Sequence, residues 1–97
     1  MKTPLKSKES LAQLMRAILV LKTEAEVRAF FKDLCTPAEL ESMADRWQVV
    51  PLLQQGIPYR AIHEKTGVSV TTITRVARSL TMGAGGYATV AKRLEKL

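Results

Sequence analysis

Ninety-seven residues with a net charge of +6, 46% apolar side chains and only 5% aromatic ones suit one small, aliphatic-rich helical domain. A single Cys and a single His exclude an intramolecular disulfide and a zinc site built on those residue types, so no metal is expected. No apolar run reaches membrane-spanning length, and the charged start MKTPLKSKES has no signal-type cleavage site after it, so a cytoplasmic location is expected.

The first helix is expected from about Ser7 to Lys22. Leu11, Leu14, Met15, Ile18 and Leu21 or Lys22 trace one stripe, and Ala12, Leu19 and Val20 add apolar surface beside it. A helix apolar on more than one side needs cover that a chain this short lacks, which is a first indication of a dimer. Thr23-x-x-Glu26 is a capping box and starts a second helix that ends at Asp33 or Leu34, with Val27, Phe30, Phe31 and Leu34 inward. Cys35 is expected to be a small buried hydrophobe.

Thr36-Pro37-Ala38-Glu39 opens the third helix. Thr36 is the cap, Pro37 takes the first helical position and Glu39 reaches back. The helix runs to about Gln55 and stops at Gly56. Leu40, Met43, Ala44, Trp47 and Val50 form its stripe, and Val49, Leu52 and Leu53 widen it. Pro51 lies inside and removes one backbone donor, which predicts a kink at a cost of about 3 kcal/mol. Met15, Met43 and Met82 suit gap-filling, and Trp47 suits the core.

Tyr59 to Thr66 forms a short helix behind Pro58, and Gly67 supplies a turn where positive φ is cheap. Ser69 stands at an N-cap position, and the next helix runs from Val70 to Leu80. Ile73, Val76, Ala77 and Leu80 share its inward face. Thr71, Thr72, Thr74, Arg75, Arg78 and Ser79 share the other, which holds no carboxylate. This is the pattern of a DNA-reading helix-turn-helix, spanning 58–80. One residue departs from it: His63 stands four before the turn glycine, where a small residue is usual; of a phosphate contact and packing at the helix crossing, packing is expected, because its side chain faces the turn. After Leu80, Met82-Gly83-Ala84-Gly85-Gly86 forms a hinge without phosphate-loop chemistry. A terminal helix follows, with Tyr87, Val90, Ala91, Leu94 and Leu97 inward and Lys92, Arg93 and Lys96 outward.

Charge divides in the same way. Residues 1–45 carry seven basic and seven acidic side chains, whereas residues 46–97 carry eight basic against Glu64 and Glu95. The basic half is the half with the helix-turn-helix, as a nucleic-acid footprint requires. No segment pairs a basic face with a bulky aromatic one, so no membrane partner is expected.

The runs TPAELESMADRWQVVPLLQQG and YRAIHEKTGVSVTTITRVARSL resemble the Trp repressor superfamily. Leu21-Lys22, the junction Phe30 to Leu40 and Gly83-Ala84-Gly85-Gly86-Tyr87 resemble more closely its Trp-repressor-like bacterial members. The resemblance implies an all-α helical bundle that forms an intertwined homodimer, with 1–57 as dimerisation helices and 81–97 as hinge and last helix. Its recognition helices would stand roughly 34 Å apart on a near-palindromic operator in double-stranded DNA. By position it implies DNA contacts at Tyr59, Arg60, Val70, Thr71, Thr72, Thr74 and Arg75, and the outward Arg78 is expected to contact phosphate. Lys65 adds charge for phosphate.

The same resemblance implies a ligand pocket at Arg46, Arg75 and Ser79. The tryptophan-binding members carry glycine after the second arginine, and this chain has Val76. An isopropyl group in a planar slot is overpacking, worth about 1–3 kcal/mol against the ligand. Free tryptophan is therefore not expected as co-repressor, no cofactor is expected, and the need for a small-molecule effector stays open. Arg46 also suits a plain helix-surface ion pair.

No Ser-His-Asp or Cys-His arrangement and no converging carboxylates suggest an enzyme. A protein-interaction module that kept the fold is the alternative, and the carboxylate-free basic face weighs against it. RNA binding would ask for more exposed aromatics than Tyr59. The sequence reading is a dimeric, DNA-binding transcriptional regulator of the repressor type.

Overall fold

The computed structural model describes residues 4–97, with side chains from Lys8 onward. Residues 1–3, which begin both the charged N-terminal stretch and the proposed dimerisation region, lie outside the described residues. Six helices follow in order: α1 (Pro4–Leu19), α2 (Glu24–Leu34), α3 (Pro37–Gln54), α4 (Tyr59–Thr66), α5 (Val70–Met82) and α6 (Gly86–Leu94). No strand occurs among the described residues, so the chain is all-α. It divides at Pro37 and Ala38 into two compact units.

In the first unit, α1 begins before the expected Ser7 and ends at Leu19, short of the expected Lys22. Val20 and Leu21 donate to carbonyls three residues back, on Ala17 and Ile18, which tightens the last turn. Thr23 must be extended (φ −130°, ψ 159°) to cap α2, so the chain has left the helix before it. The Thr23 hydroxyl accepts from the Glu26 N–H at 3.1 Å. The Glu26 carboxylate accepts from the Lys22 N–H at 2.8 Å, so the capping box closes one residue earlier than the cap itself.

Burial in this unit falls short of the expected stripes. Leu14 and Ile18 are half-buried, but Leu11 and Met15 are 60% and 45% exposed. Leu19 and Val20 are more exposed still. On α2, Val27 and Leu34 were expected inward and are exposed, while Phe30 and Phe31 are half-buried and meet edge to face at 5.7 Å. Cys35, expected buried, is half-buried, and its N–H closes α2 on the Phe31 carbonyl. A pair of short helices has too little surface of its own to cover apolar faces this wide.

The second unit holds a true core: Val49 and Val50 of α3, Ile62 of α4, Val68 of the turn, and Ile73 and Val76 of α5. Each fully buried side chain stabilises by roughly 1.5–3 kcal/mol. Trp47, Leu52, Leu53, Ile57, Leu80 and Tyr87 pack against it. Trp47 is thus half-buried rather than central, and Ala44, expected on the stripe, is exposed. The valine pair at 49 and 50 shifts the buried face of α3 away from Ala44.

α3 continues through Pro51 and ends in a Schellman motif. Gly56 is left-handed (φ 77°) and donates to the Leu53 carbonyl at 3.0 Å, and Ile57 donates to the Leu52 carbonyl at 3.1 Å. Ile57 then packs on the core. α5 runs two residues past the expected Leu80, because its cap is Gly83, whose N–H bonds the Ser79 carbonyl at 2.8 Å. α6 starts at Gly86 and stops at Leu94, not Leu97. Only Tyr87 and Ala91 of its expected inward stripe are half-buried; Val90, Leu94 and Leu97 are exposed.

Candidate nucleic-acid interface and adjoining cleft

The α4–α5 hairpin is built from local chemistry. Gly67 takes the left-handed conformation (φ 76°, ψ −2°), and its N–H caps α4 on the His63 carbonyl at 2.8 Å. The Thr66 hydroxyl donates to the Ile62 carbonyl and accepts from the Val68 N–H. The His63 ring donates from Nδ1 to the Val68 carbonyl at 2.8 Å. His63 is exposed, so it does not pack in the helix crossing as expected. It ties the turn from outside, which removes the need for a small residue there. Ser69 (φ −64°, ψ 150°) caps α5, its hydroxyl accepting from the Thr72 N–H at 3.1 Å. Ile62, Val68 and Ile73 lock the two helices together from beneath.

This frame sorts the side chains of α5. Ile73 and Val76 are buried, and Ala77 and Leu80 are half-buried. Thr71, Thr74, Arg75 and Arg78 are exposed, Thr72 is half-buried at the cap, and Val70 is 49% exposed at the helix start. On α4, Arg60 and Lys65 are exposed and Tyr59 is 41% exposed. The residues selected for DNA contact therefore fall on the accessible parts of α4 and α5. Guanidinium and hydroxyl groups on such a face can bond phosphates and base edges.

Arg46, Arg75 and Ser79 also come together. With Val76 and Tyr87 they line a cleft of about 340 Å³ between α3, α5 and α6. Val76 is 1% exposed and belongs to the core on which the cleft rests. A smaller cleft of about 230 Å³ is lined by Ser42, Asp45, Arg46, Thr72 and Arg75. The two arginines thus form a wall shared by both clefts, one of which reaches Thr72. Neither guanidinium has a carboxylate at ion-pair distance among the described residues, so the surface-ion-pair reading of Arg46 is not realised. Tyr87 was not selected for this place. Its signal was partial: it heads the inward stripe of the last helix, which marks it as inward but not where that helix docks.

A helix-turn-helix with an exposed, carboxylate-free basic reading helix on an all-helical frame defines a DNA-binding regulator. The chain belongs to the Trp repressor family, whose model, described as Trp repressor protein, matches residues 9–95. That family is regulatory and DNA-binding, not enzymatic. The uncharacterized protein YerC of Bacillus subtilis is 41% identical over 92 residues, which span 95% of this chain and 88% of YerC. A TrpR-like protein from Eubacterium eligens has the same fold, with a TM-score of 0.86, 44% identity and 92% of each chain covered. A crystal structure of a candidate Trp repressor from Staphylococcus aureus also gives a TM-score of 0.86, at 35% identity over 97% of this chain and 96% of its own. Among the described residues no helix is long and apolar enough to cross a membrane.

Proposed function

We propose that this protein is a homodimeric transcriptional repressor that reads a near-palindromic operator in double-stranded DNA without tryptophan. One observation carries the reading: α5 presents Thr71, Thr74, Arg75 and Arg78 to solvent on a face free of carboxylates, in a hairpin pinned by Gly67 and Ser69. Arg60, Lys65, Arg75 and Arg78 contact phosphate, and Val70, Thr71, Thr72 and Thr74, with Tyr59, read sequence. The exposed Leu11, Met15, Leu19 and Val20 of α1 support a second copy as cover for that helix. Buried Val76 supports exclusion of the indole ring from the cleft.

The test is selection of bound sequences from a random DNA pool at about 150 mM salt, a physiological ionic strength, first without ligand and then with pooled amino acids. A palindromic consensus in the first arm supports the proposal. A consensus only in the second restores a co-repressor held by Arg46, Arg75 and Ser79. No enrichment in either arm favours a protein-interaction module. Calorimetric titration with tryptophan should show no heat of binding at micromolar ligand, and saturable micromolar binding would sink the exclusion by Val76.

A further inference from the structure

Tyr87 has no part in the DNA contacts above, yet three features converge on it. Its half-buried ring lines the cleft beside Arg46, Val76 and Ser79. It lies 6.2 Å from the Trp47 ring, centroid to centroid, at a tilt of 38°. It packs against the core that joins α3, α4 and α5.

The tether that delivers it is also constrained. Gly83 donates to the Ser79 carbonyl at 2.8 Å, and a Cβ on Gly83 would fall 2.4 Å from that oxygen. The chain therefore leaves α5 pressed against the backbone of a residue that lines the cleft. Gly85 (φ 85°) then turns it so that α6 begins one residue before Tyr87. The result is an aromatic bridge supplied from within the chain: the ring meets Trp47 of α3 and lines the cleft it shares with Val76 and Ser79 of α5. Aromatic rings at this separation attract one another beyond the area they bury, which favours this seating of α6 on α3.

We infer that Tyr87 is a positioning residue of the recognition helix. It orients α5 on α3 and so sets the reading face without a bound small molecule. The inference rests on the ligand-independent DNA binding proposed above. A purely structural role would lower stability and leave the affinity of the folded protein unchanged. A positioning role lowers affinity in protein that is fully folded.

Full-length Tyr87→Ala and Tyr87→Phe proteins decide between them, titrated by fluorescence anisotropy against the operator that the parent selects. Trp47 is the single tryptophan of the chain, so its emission reports on the bridge. Tyr87→Phe keeps the ring and should bind as the parent does. Tyr87→Ala should lose about tenfold or more in operator affinity, at unchanged helicity and dimer content, with Trp47 emission shifted to the red. Added phenol refills the vacated volume and should restore both emission and affinity. Parent-like affinity of folded Tyr87→Ala overturns the inference, as does phenol that restores emission alone. Should Tyr87→Ala fail to fold, Tyr87→Leu keeps apolar volume without the ring, and parent-like affinity of that variant overturns it equally. Should the parent select no operator, the DNA-binding reading fails by itself. Amide exchange then judges the bridge: faster exchange in Tyr87→Ala than in Tyr87→Phe confined to α5 upholds it, and equal rates or a uniform rise across all helices overturn it.

Discussion

Thr72 and Thr74 already use their hydroxyls inside the hairpin. Thr72 Oγ1 accepts from Ser69 Oγ at 3.1 Å, and Thr74 Oγ1 donates to the Val70 carbonyl at 2.8 Å. Each keeps an acceptor lone pair and a methyl group for a base edge. The double substitution Thr72→Ala, Thr74→Ala should leave the dimer intact and narrow the gap between operator and random DNA by roughly 1–3 kcal/mol for each reading position lost. Paired titrations on the two DNAs measure this, and parent-like discrimination would place the reading face elsewhere. Ser69 was legible as a cap from its place before the apolar face, and Ser69→Ala should cost about 1 kcal/mol in urea unfolding. The convergence of Tyr87 on Arg46 and Ser79 was not legible, because nothing in residues 83–87 states where the last helix docks.

At the scale of elements, two glycines do different work. Gly67 needs its positive φ, and a Cβ there would meet nothing within 4 Å. Gly67→Ala should therefore cost only backbone strain, about 1–2 kcal/mol. Gly83 has an ordinary φ of −88°, but its Cβ would strike the Ser79 carbonyl oxygen, a backbone atom that cannot swing aside. Gly83→Ala should displace the link to α6 and cost more, on the order of 3 kcal/mol. Denaturant midpoints of the two variants test the order, and a reversal would mean that α6 reseats freely. Caps and stops set by neighbouring residues were read correctly at Thr23, Gly56, Gly67 and Ser69. Boundaries that depend on how far a helix can run before its cap were misplaced. α1 stops early because Thr23 must be extended, and α5 runs on to the next glycine.

At the scale of the whole molecule, exposed apolar surface and charge make the predictions. Leu11→Glu with Met15→Glu places carboxylates on the exposed apolar stripe of α1. Under the homodimer proposal these charges would be buried without partners, at a cost of several kcal/mol. Sedimentation should show monomers, with operator affinity falling together with assembly; a stable double-mutant dimer would remove α1 from the interface. Arg60, Lys65, Arg75 and Arg78, doubled in a dimer, give a log-affinity against log-salt slope of about −7 if all neutralise phosphate. A slope near zero would contradict a phosphate-held complex.

The sequence alone determined the six-helix order, the hairpin turn, the carboxylate-free reading face and the basic half of the chain. Each of these depends on residues within a turn or two of one another, through caps, glycine conformations and helical spacing. Periodicity also marked the apolar faces, but a face does not name what covers it. Tertiary structure alone decided that Ala44, on the same expected stripe as the buried Val50, is left exposed. It decided that His63 ties the turn from outside, and that Tyr87 joins Arg46, Arg75, Val76 and Ser79 in one cleft. Those outcomes follow from packing between segments far apart in the chain, where shape and volume choose among faces that local spacing leaves equivalent.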